Sequence, residues 1–282
     1  MIWLLVILFS WFLAIQFEWA KNRYDKAQFK EELFNSTGIQ ATYEEKKIGG
    51  DLIHYLSQIF DDHKKIVIFV HGSPGSLAAY KSYLSSKTLF ENCGMISIDR
   101  PGFGYSDEGN AETSLEKQAA LIAEILKDYP NLKKILVGHS MGGPVISKLA
   151  MDFPDLVDGL IMVAPSISPD LEPSNSWRKF INIVPLRWIT PSALRVCNQE
   201  IIPLQLELEK MDDGWKNIFI PVTLVHGSED GLVTVDNVSY AEEKLSNTKV
   251  KKIILKGGNH FILWSEVPLI SKEILTMLDL LE

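Results

Sequence analysis

Ser140 stands in a local sequence that would suit a nucleophilic serine. It follows the apolar run 135–138 (ILVG), lies within 138–142 (GHSMG) and precedes a helix-like segment over 141–152. A serine displayed on a tight strand-to-helix turn needs small residues two positions to either side, because the strand and the helix nearly collide there. Gly138 and Gly142 are such residues. The same stretch would also suit an ordinary glycine-rich turn, so the interpretation depends on the rest of the chain.

A general base and an acid for this serine are available in two later loops. A serine hydroxyl becomes a nucleophile when a base accepts its proton, and the base needs an acid that fixes its tautomer. His260, in the segment 257–260 (GGNH), is the candidate base, and Asp230, in the segment 226–230 (HGSED), is the candidate acid. Glu229 is a near alternative to Asp230, and Asp170 is a more distant one.

The remaining loop histidines are expected to have other tasks. His139 is adjacent to Ser140, so its side chain should leave the turn in another direction and not meet the hydroxyl. His71 and His226 each precede a glycine at the end of a predicted strand, and we expect both to bond loop backbone.

An earlier loop offers a backbone donor for an oxyanion. The segment 71–75 (HGSPG) follows an apolar run, and its glycines, Gly72 among them, permit a sharp turn. Pro74 has no N–H, so Ser73 is the natural donor there. The N–H of Met141, at the start of the helix after Ser140, is a second candidate, since a helix N-terminus favours negative charge. The segment 99–107 (DRPGFGYSD) is interpreted as a rigid loop in which Asp99 and Arg100 are structural.

The elements that would position these loops alternate along the chain. Short continuous apolar strands separated by helices indicate an α/β fold with a mostly parallel central sheet and helices on both faces. An opening hairpin is predicted around Gly49-Gly50. Helices are expected over 79–90, from a capping box at 113–116 to about residue 128, over 141–152, over 234–245 and over 266–281.

One stretch breaks the alternation. Residues 165–219 contain no clear strand and predict a helical cap or lid inserted after the sixth strand, with Thr190 capping a helix that begins at Pro191. We call it the helical insertion. Its bulky apolar residues are expected both to pack on the main domain and, in part, to line a pocket: Trp177, Phe180, Ile181, Trp188 and Trp215. The core is accordingly assigned to residues 41–164 and 220–282, and residues 20–40 are interpreted as a connector.

Residues 1–19 predict an N-terminal membrane anchor. Residues 1–17 carry no charge, and as a helix they would span about 26 Å, near the short end for a bilayer crossing. Basic residues follow the segment, which favours a cytoplasmic catalytic domain, with a periplasmic or extracellular one as the alternative. A cleaved signal peptide fits less well because no basic residues precede the apolar run. An apolar helix docked on the protein itself is the other interpretation.

Composition excludes several function classes. The formal net charge is −8, with no basic block outside the N-terminal flank, so nucleic acid is not an expected partner. Cys93 and Cys197 are too few for a disulfide framework or a cysteine-based metal site. A single bridge between them stays open but is not favoured, because the sequence gives little sign of export.

Taken together, these motifs resemble the α/β-hydrolase family. Five motifs occur in the family's order: HGSPG, DRPGFGYSD, GHSMGG, HGSEDGLV and GGNH. The resemblance runs from about residue 40 to the end of the chain. The resemblance implies that Ser140 is the nucleophile, His260 the base and Asp230 the acid. It further implies oxyanion donors at Ser73 and Met141, with Gly72, Gly138 and Gly142 supporting the site, and it implies no cofactor or metal. The turn that carries the nucleophile is called the elbow. Haloalkane dehalogenases and epoxide hydrolases have aspartate at the elbow position of Ser140, so the serine argues against their chemistries.

The sequence thus predicts a membrane-anchored serine hydrolase that acts through an acyl-enzyme. The favoured substrate is a small apolar acyl ester, as in carboxylesterases and lipases. Two alternatives stay open: a C–C bond hydrolase or aminopeptidase using the same residues, and a catalytically silent binding protein with this fold.

Overall fold

An eight-stranded sheet forms the centre of the protein. The computed structural model describes residues 23–173, 178 and 186–281, together with residues 7, 10, 11 and 14. The strands are β1 (Thr42–Ile48), β2 (Asp51–Gln58), β3 (Lys65–Val70), β4 (Gly94–Ile98), β5 (Lys133–His139), β6 (Gly159–Val163), β7 (Val222–Gly227) and β8 (Val250–Leu255). The helices are α1 (Lys26–Thr37), α2 (Lys81–Leu84), α3 (Lys87–Asn92), α4 (Leu115–Leu126), α5 (Gly142–Asp152), α6 (Leu186–Ile189), α7 (Ser192–Ile201), α8 (Leu204–Met211), α9 (Asp236–Lys244), α10 (Ile262–Ser265) and α11 (Val267–Asp279).

The sheet has the order β1-β2-β4-β3-β5-β6-β7-β8. Strands β3 to β8 pair in parallel, whereas β2 runs antiparallel to both β1 and β4. Gly49 and Gly50, with φ of 59° and 110°, make the turn between β1 and β2. Both positions require a positive φ, which glycine adopts without steric cost. The predicted mostly parallel sheet with a hairpin at one edge is confirmed.

Helices bury both faces of the sheet, as the continuous apolar strands predicted. In β3, Ile66 and Ile68 pack with α4 and α5 on one face. Val67 and Phe69 point to the other face, where they pack with α1 and α11. Neighbouring side chains along a strand point to opposite faces, so a strand with helices on both sides is apolar at every position.

The helical insertion lies between β6 and β7, and its described part contains α6, α7 and α8. Trp215 is buried within the main core, which agrees with the expectation that the insertion packs on the domain. Trp188 is 62% exposed. Trp177, Phe180 and Ile181 lie outside the described residues.

Helix boundaries differ from the sequence prediction at two places. The stretch 79–90 divides into a 3₁₀ turn (Leu77–Tyr80), α2 and α3, because the hydroxyl of Ser86 accepts the N–H of Leu89 and starts a new helix. At α4, Ser114 and not Thr113 is the N-cap, since its hydroxyl accepts the N–H of Lys117. The capping box predicted over 113–116 is therefore wrong by one residue.

A third difference concerns Thr190. Its hydroxyl donates to the carbonyl of Leu186, so it completes α6. Pro191 is the N-cap of α7, and no side chain caps this helix. The prediction that Thr190 caps the following helix is wrong, because its hydroxyl is used by the preceding turn.

The predicted connector contains structure of its own. Within residues 20–40, α1 begins after Asp25, whose side chain caps it, and buries Phe29 and Leu33. These two residues are four positions apart and so lie on one face of the helix. The connector is thereby part of the folded domain from residue 26 onward.

The predicted anchor, residues 1–19, lies almost entirely outside the described residues. Across the part of the chain that the structure describes, no helix has the length and apolar character needed to cross a bilayer. Trp11, one of the few described residues in this segment, donates its indole N–H to the carbonyl of Ile189 at 2.6 Å.

Candidate active site

Four loops that carry candidate residues leave the same edge of the sheet. HGSPG follows β3, GHSMGG follows β5, HGSED follows β7 and GGNH follows β8. The strands end together, since Val70 pairs with Gly138 and Gly227 pairs with Leu255. Binding sites of parallel α/β sheets lie at the carboxyl ends of the strands, and the candidate residues are at this edge.

Ser140 occupies a strained turn between β5 and α5. Its φ is 51°, in the left-handed region that non-glycine residues rarely adopt. The turn is held by hydrogen bonds from Ser140 N to Val163 O at 3.0 Å and from Gly143 N to Ser140 O at 2.9 Å. Such strain costs on the order of 1–3 kcal/mol and concentrates at functional sites.

The flanking glycines are required by close backbone contacts. A Cβ on Gly138 would lie 2.5 Å from the carbonyl oxygen of Gly142. A Cβ on Gly142 would lie 2.1 Å from the carbonyl oxygen of Val70 in β3. Gly72 is also confined, because its Cβ would approach the Ser140 Cβ to 3.0 Å. Of the three glycines predicted to support the site, Gly138 and Gly142 therefore leave no room for a side chain and Gly72 leaves little.

His260 and Asp230 form a hydrogen-bonded pair. His260 Nδ1 lies 2.7 Å from Asp230 Oδ2, while Asp230 Oδ1 accepts the backbone N–H groups of Leu232 and Val233 at 2.9 and 2.8 Å. Burial opposes ionisation of Asp230, but these hydrogen bonds outweigh it and lower the pKa of the carboxyl. A carboxylate in this position can hold the imidazole in the tautomer that leaves Nε2 free to accept a proton.

The two alternative acids lie elsewhere. Glu229 is exposed beside Asp230, and Asp170 is exposed in the insertion. It is Asp230 that contacts His260.

His139 has a contact that the sequence did not reveal. Its Nε2 lies 3.1 Å from the carbonyl oxygen of His260, and the two rings lie 4.9 Å apart, centroid to centroid. Burial, with a contribution from His260, lowers the pKa of His139 to about 3. His139 is therefore a neutral ring that packs on the His260 ring, where the sequence indicated only that it turns away from Ser140.

The predicted roles of His71 and His226 as backbone partners are confirmed. His71 Nδ1 lies 2.7 Å from Gly72 O, and His226 Nδ1 lies 3.0 Å from Gly227 O. Burial and the neighbouring Arg100 hold the pKa of His71 well below its usual value. His71 Nε2 accepts the N–H of Arg100 at 3.0 Å, which requires this neutral form.

The Arg100 side chain holds the HGSPG loop in place through hydrogen bonds. Its buried guanidinium donates to the carbonyls of His71 and Gly72 at 2.8 and 3.0 Å, and to both carboxylate oxygens of Glu200 in α7 at 2.8 and 2.9 Å. The insertion is thus tied to the loop that carries Ser73. Asp99 supports the same region through the N–H of Leu77, accepted by its carboxylate at 2.7 Å.

Two cavities meet at Ser140. The insertion-side cavity, of about 160 Å³, is lined by Ser140, Ser73, Met141 and His260 together with residues of the insertion. The core-side cleft, of about 530 Å³, is also lined by Ser140, Ser73 and His260, and extends between the HGSPG loop and α10. The structure thus brings together all five residues predicted for catalysis or the oxyanion.

Sequence reasoning missed most of the residues that line these cavities. They include Leu171, Glu172, Ile201, Leu204, Leu232 and Asn237 in the first cavity and Phe261 and Trp264 in the second. Three of these residues stand close in the chain to a predicted site residue and could have been suspected: Leu232, two positions after Asp230, and Phe261 and Trp264, one and four positions after His260. Across residues 23–173 and 186–281, no group of three or more His, Cys, Asp or Glu side chains is arranged to hold a metal ion. Cys93 and Cys197 are both free and buried.

Comparison with known proteins shows what part of this chain resembles a known family. A family model described as an alpha/beta hydrolase fold matches residues 65–193. The dihydrolipoyllysine-residue acetyltransferase component of the acetoin cleaving system of Cupriavidus necator is 30% identical over 125 residues, which make up 44% of this chain and 33% of that protein. The pimeloyl-acyl-carrier-protein methyl ester esterase of Vibrio cholerae is 32% identical over 112 residues, 40% of each chain.

A solved structure extends the likeness along the whole chain. A membrane phospholipase A, described as a bacterial virulence factor, has a TM-score of 0.67 at 16% identity, with 98% of this chain and 96% of that chain covered. This chain matches the two curated relatives over only a third to two fifths of their own length, so they do not show a shared activity. The sheet order, the serine elbow and the family model matched over residues 65–193 together show that the chain has the α/β-hydrolase fold.

Proposed function

We propose that the protein is a serine hydrolase that cleaves a carboxylic ester through an acyl-enzyme. One observation carries the proposal. Ser140, held at a φ of 51°, lines the same cavities as His260, whose Nδ1 is bound to the Asp230 carboxylate. A nucleophile, a base and an orienting acid are the parts that acyl transfer requires.

The reaction proceeds in two halves. Ser140 Oγ attacks the ester carbonyl while His260 Nε2 takes the hydroxyl proton, and the N–H groups of Ser73 and Met141 receive the developing oxyanion. The tetrahedral intermediate collapses, and His260 returns the proton to the departing alcohol. A water molecule, deprotonated by His260, then attacks the acyl-enzyme. The bond from the acyl carbon to Ser140 Oγ breaks, His260 returns the proton to Oγ, and the acid is released.

The two cavities suggest how the substrate is divided. An apolar cavity of 150 Å³ in another protein holds benzene, so the insertion-side cavity has room for about six non-hydrogen atoms. We assign the acyl group to this cavity, whose wall includes Leu171, Ile201 and Leu204. The alcohol then occupies the larger core-side cleft, into which the His260 ring also faces.

The residue at the elbow and the names of two similar proteins favour ester chemistry. The elbow carries Ser140 and not the aspartate that epoxide hydrolases have there. One curated relative is named as a methyl ester esterase, and one structural neighbour as a phospholipase A.

Labelling with a fluorophosphonate probe tests the nucleophile. The native protein should react, and Ser140→Ala and the urea-unfolded protein should not. Ser85→Ala, at a half-buried serine between α2 and α3, is the control and should label like the native protein. A native, folded protein that never labels, or labelling that persists in Ser140→Ala, would contradict the proposal.

We also propose that residues 1–19 anchor the enzyme in a membrane with the catalytic domain on the cytoplasmic side. Support comes from the uncharged run 1–17 and the basic residues that follow it. An anchor of this kind would keep the active site close to lipid-derived esters.

A further inference from the structure

A carboxylate lies in the wall of the insertion-side cavity. Glu172 follows the 3₁₀ turn Pro169–Leu171 and lines the same cavity as Ser140 and the two proposed oxyanion donors. A cavity wall made only of aliphatic side chains would suit any alkyl group of the right size. A carboxylate in that wall is costly to bury unless something hydrogen-bonds to it.

Ser166 ties this carboxylate to the serine elbow. The hydroxyl of Ser166 donates to Oε1 of Glu172, and the backbone N–H of Ser166 lies 3.4 Å from the carbonyl oxygen of Ser140. The two carboxylate oxygens together offer about four lone-pair positions, and the Ser166 hydroxyl occupies one. Burial raises the pKa of Glu172, a sign of a carboxyl group that lacks full solvation.

Two neighbouring side chains narrow the choice of ligand. Asn237 holds the cavity wall, because its Oδ1 accepts the N–H groups of Ile167 and Ser168 at 2.9 Å each. Arg178 also lines the cavity, and its positive charge acts on Glu172. A cationic group in the substrate would meet that guanidinium, whereas a neutral hydroxyl would not be repelled.

We propose that the enzyme prefers esters of short hydroxy acids, whose hydroxyl group donates a hydrogen bond to Glu172. The inference rests on the proposed function, and it names the substrate class of that site. The cavity volume limits the acyl group to about six non-hydrogen atoms. The hydroxyl would add a second donor to this half-buried carboxylate, beside the Ser166 hydroxyl.

The test compares matched esters in the full chain. The substrates are methyl butanoate, methyl hexanoate, their 3-hydroxy counterparts and methyl 6-hydroxyhexanoate. The rate of hydrolysis is measured from the protons that the reaction releases. A hydrogen bond to a charged group should favour at least one hydroxy ester over its alkyl partner by about tenfold or more in kcat/KM. In Glu172→Leu the ratio of hydroxy-ester to alkyl-ester kcat/KM should fall to about one.

Internal controls separate this inference from the proposed function. The ratio of hydroxy to alkyl ester is measured within each variant, so partial unfolding does not change it, and fluorophosphonate labelling counts the active sites. Glu243→Gln, an exposed change in α9, should keep the native ratio.

If the probe labels Ser140 and esters are cleaved, but the native ratio is near one or is unchanged in Glu172→Leu, only the substrate class is wrong. Two further esters serve as charged comparisons: the 3-amino counterpart of methyl butanoate and a succinate half-ester. A preference for either over the hydroxy esters would likewise overturn the proposed substrate class. Absence of labelling would instead refute the proposed function.

Discussion

The two carboxylate oxygens of Asp230 have different partners, which makes this residue a sharp test of the proposed mechanism. Oδ1 accepts two backbone N–H groups, and Oδ2 faces His260 Nδ1. In Asp230→Asn the side-chain oxygen of the asparagine would keep the backbone contacts, and the side-chain NH₂ group would face His260 Nδ1. The imidazole would then carry its proton on Nε2 and could not accept one from Ser140. We expect kcat to fall about 1,000- to 10,000-fold with little change in stability.

The neighbouring carboxylate provides the matched control. Glu229→Gln removes the same charge one residue earlier in an exposed side chain, and kcat should stay within about twofold because exposed charges act weakly on a buried pair. Ester turnover gives kcat for both variants. An equal loss of kcat in Asp230→Asn and Glu229→Gln would show that the local negative charge matters and not the hydrogen bond to His260.

His139 makes a prediction about stability and pH. Its pKa in the folded protein is about 3, whereas in the unfolded chain it is near the ordinary value of about 6.5. Between these values the unfolded chain binds a proton that the folded protein does not. His139 therefore contributes stability above pH 6.5, and this contribution is lost as the pH falls towards 3.

Replacing this ring should flatten the pH dependence. For His139→Gln, the free energy of unfolding relative to the native sequence should rise by up to about 1.4 kcal/mol per pH unit as the pH drops from about 6 to 5. Urea denaturation at the two pH values gives the difference. A difference that does not vary with pH would mean that the folded protein protonates His139 as readily as the unfolded chain.

At the scale of elements, Arg100 and Glu200 join three parts of the fold. The pair connects the loop after β4, the loop after β3 and helix α7, and both side chains are fully buried. Glu200→Gln would leave the guanidinium buried without its counter-charge. We expect a loss of about 3–5 kcal/mol in the free energy of unfolding, measured by urea denaturation.

Two further variants show whether the pair acts as a unit. Replacing both residues, Arg100→Met with Glu200→Leu, should cost less than the two single changes added together. Glu91→Gln breaks an exposed pair with Lys87 and should cost less than about 0.5 kcal/mol. A loss in Glu200→Gln no larger than this would show that the buried contact does not stabilise the fold.

Elements also show where sequence reasoning succeeds and where it ends. The loops around Ser140, Asp230 and His260 could be predicted because each motif is local and each strand before it is a continuous apolar run. The division of residues 79–90 was missed because it depends on whether the hydroxyl of Ser86 bonds a nearby N–H, a choice made by packing. Glu172 could not be found at all, since its place beside Ser140 results from the fold of the insertion.

At the scale of the whole molecule, the proposed anchor can be separated from the catalytic domain. Residues 1–19 precede α1, and the domain from Lys26 onward contains every residue assigned to catalysis. A chain lacking residues 1–19 should stay in the supernatant after membrane sedimentation, whereas the full chain should pellet and resist a high-salt wash. Fluorophosphonate labelling of Ser140 should be retained in both.

The side of the membrane needs its own measurement. Protease added to intact cells should leave a cytoplasmic catalytic domain undigested, and should digest it once the cells are opened. A full chain that stays in the supernatant would refute the anchor, and digestion in intact cells would place the domain on the outer side.

The order of the strands has a consequence for the timing of activity during synthesis. Ser140 follows β5, but its proposed base follows β8, the last strand, which lies at the sheet edge and pairs with β7. A ribosome-bound chain that ends before β8 carries the serine turn without His260. Because the ribosome makes earlier residues first, the proposed anchor could reach a membrane before the proposed base has been synthesised. On the proposed mechanism, the newborn chain can act on a substrate only after β8 and the loop that carries His260 have been synthesised.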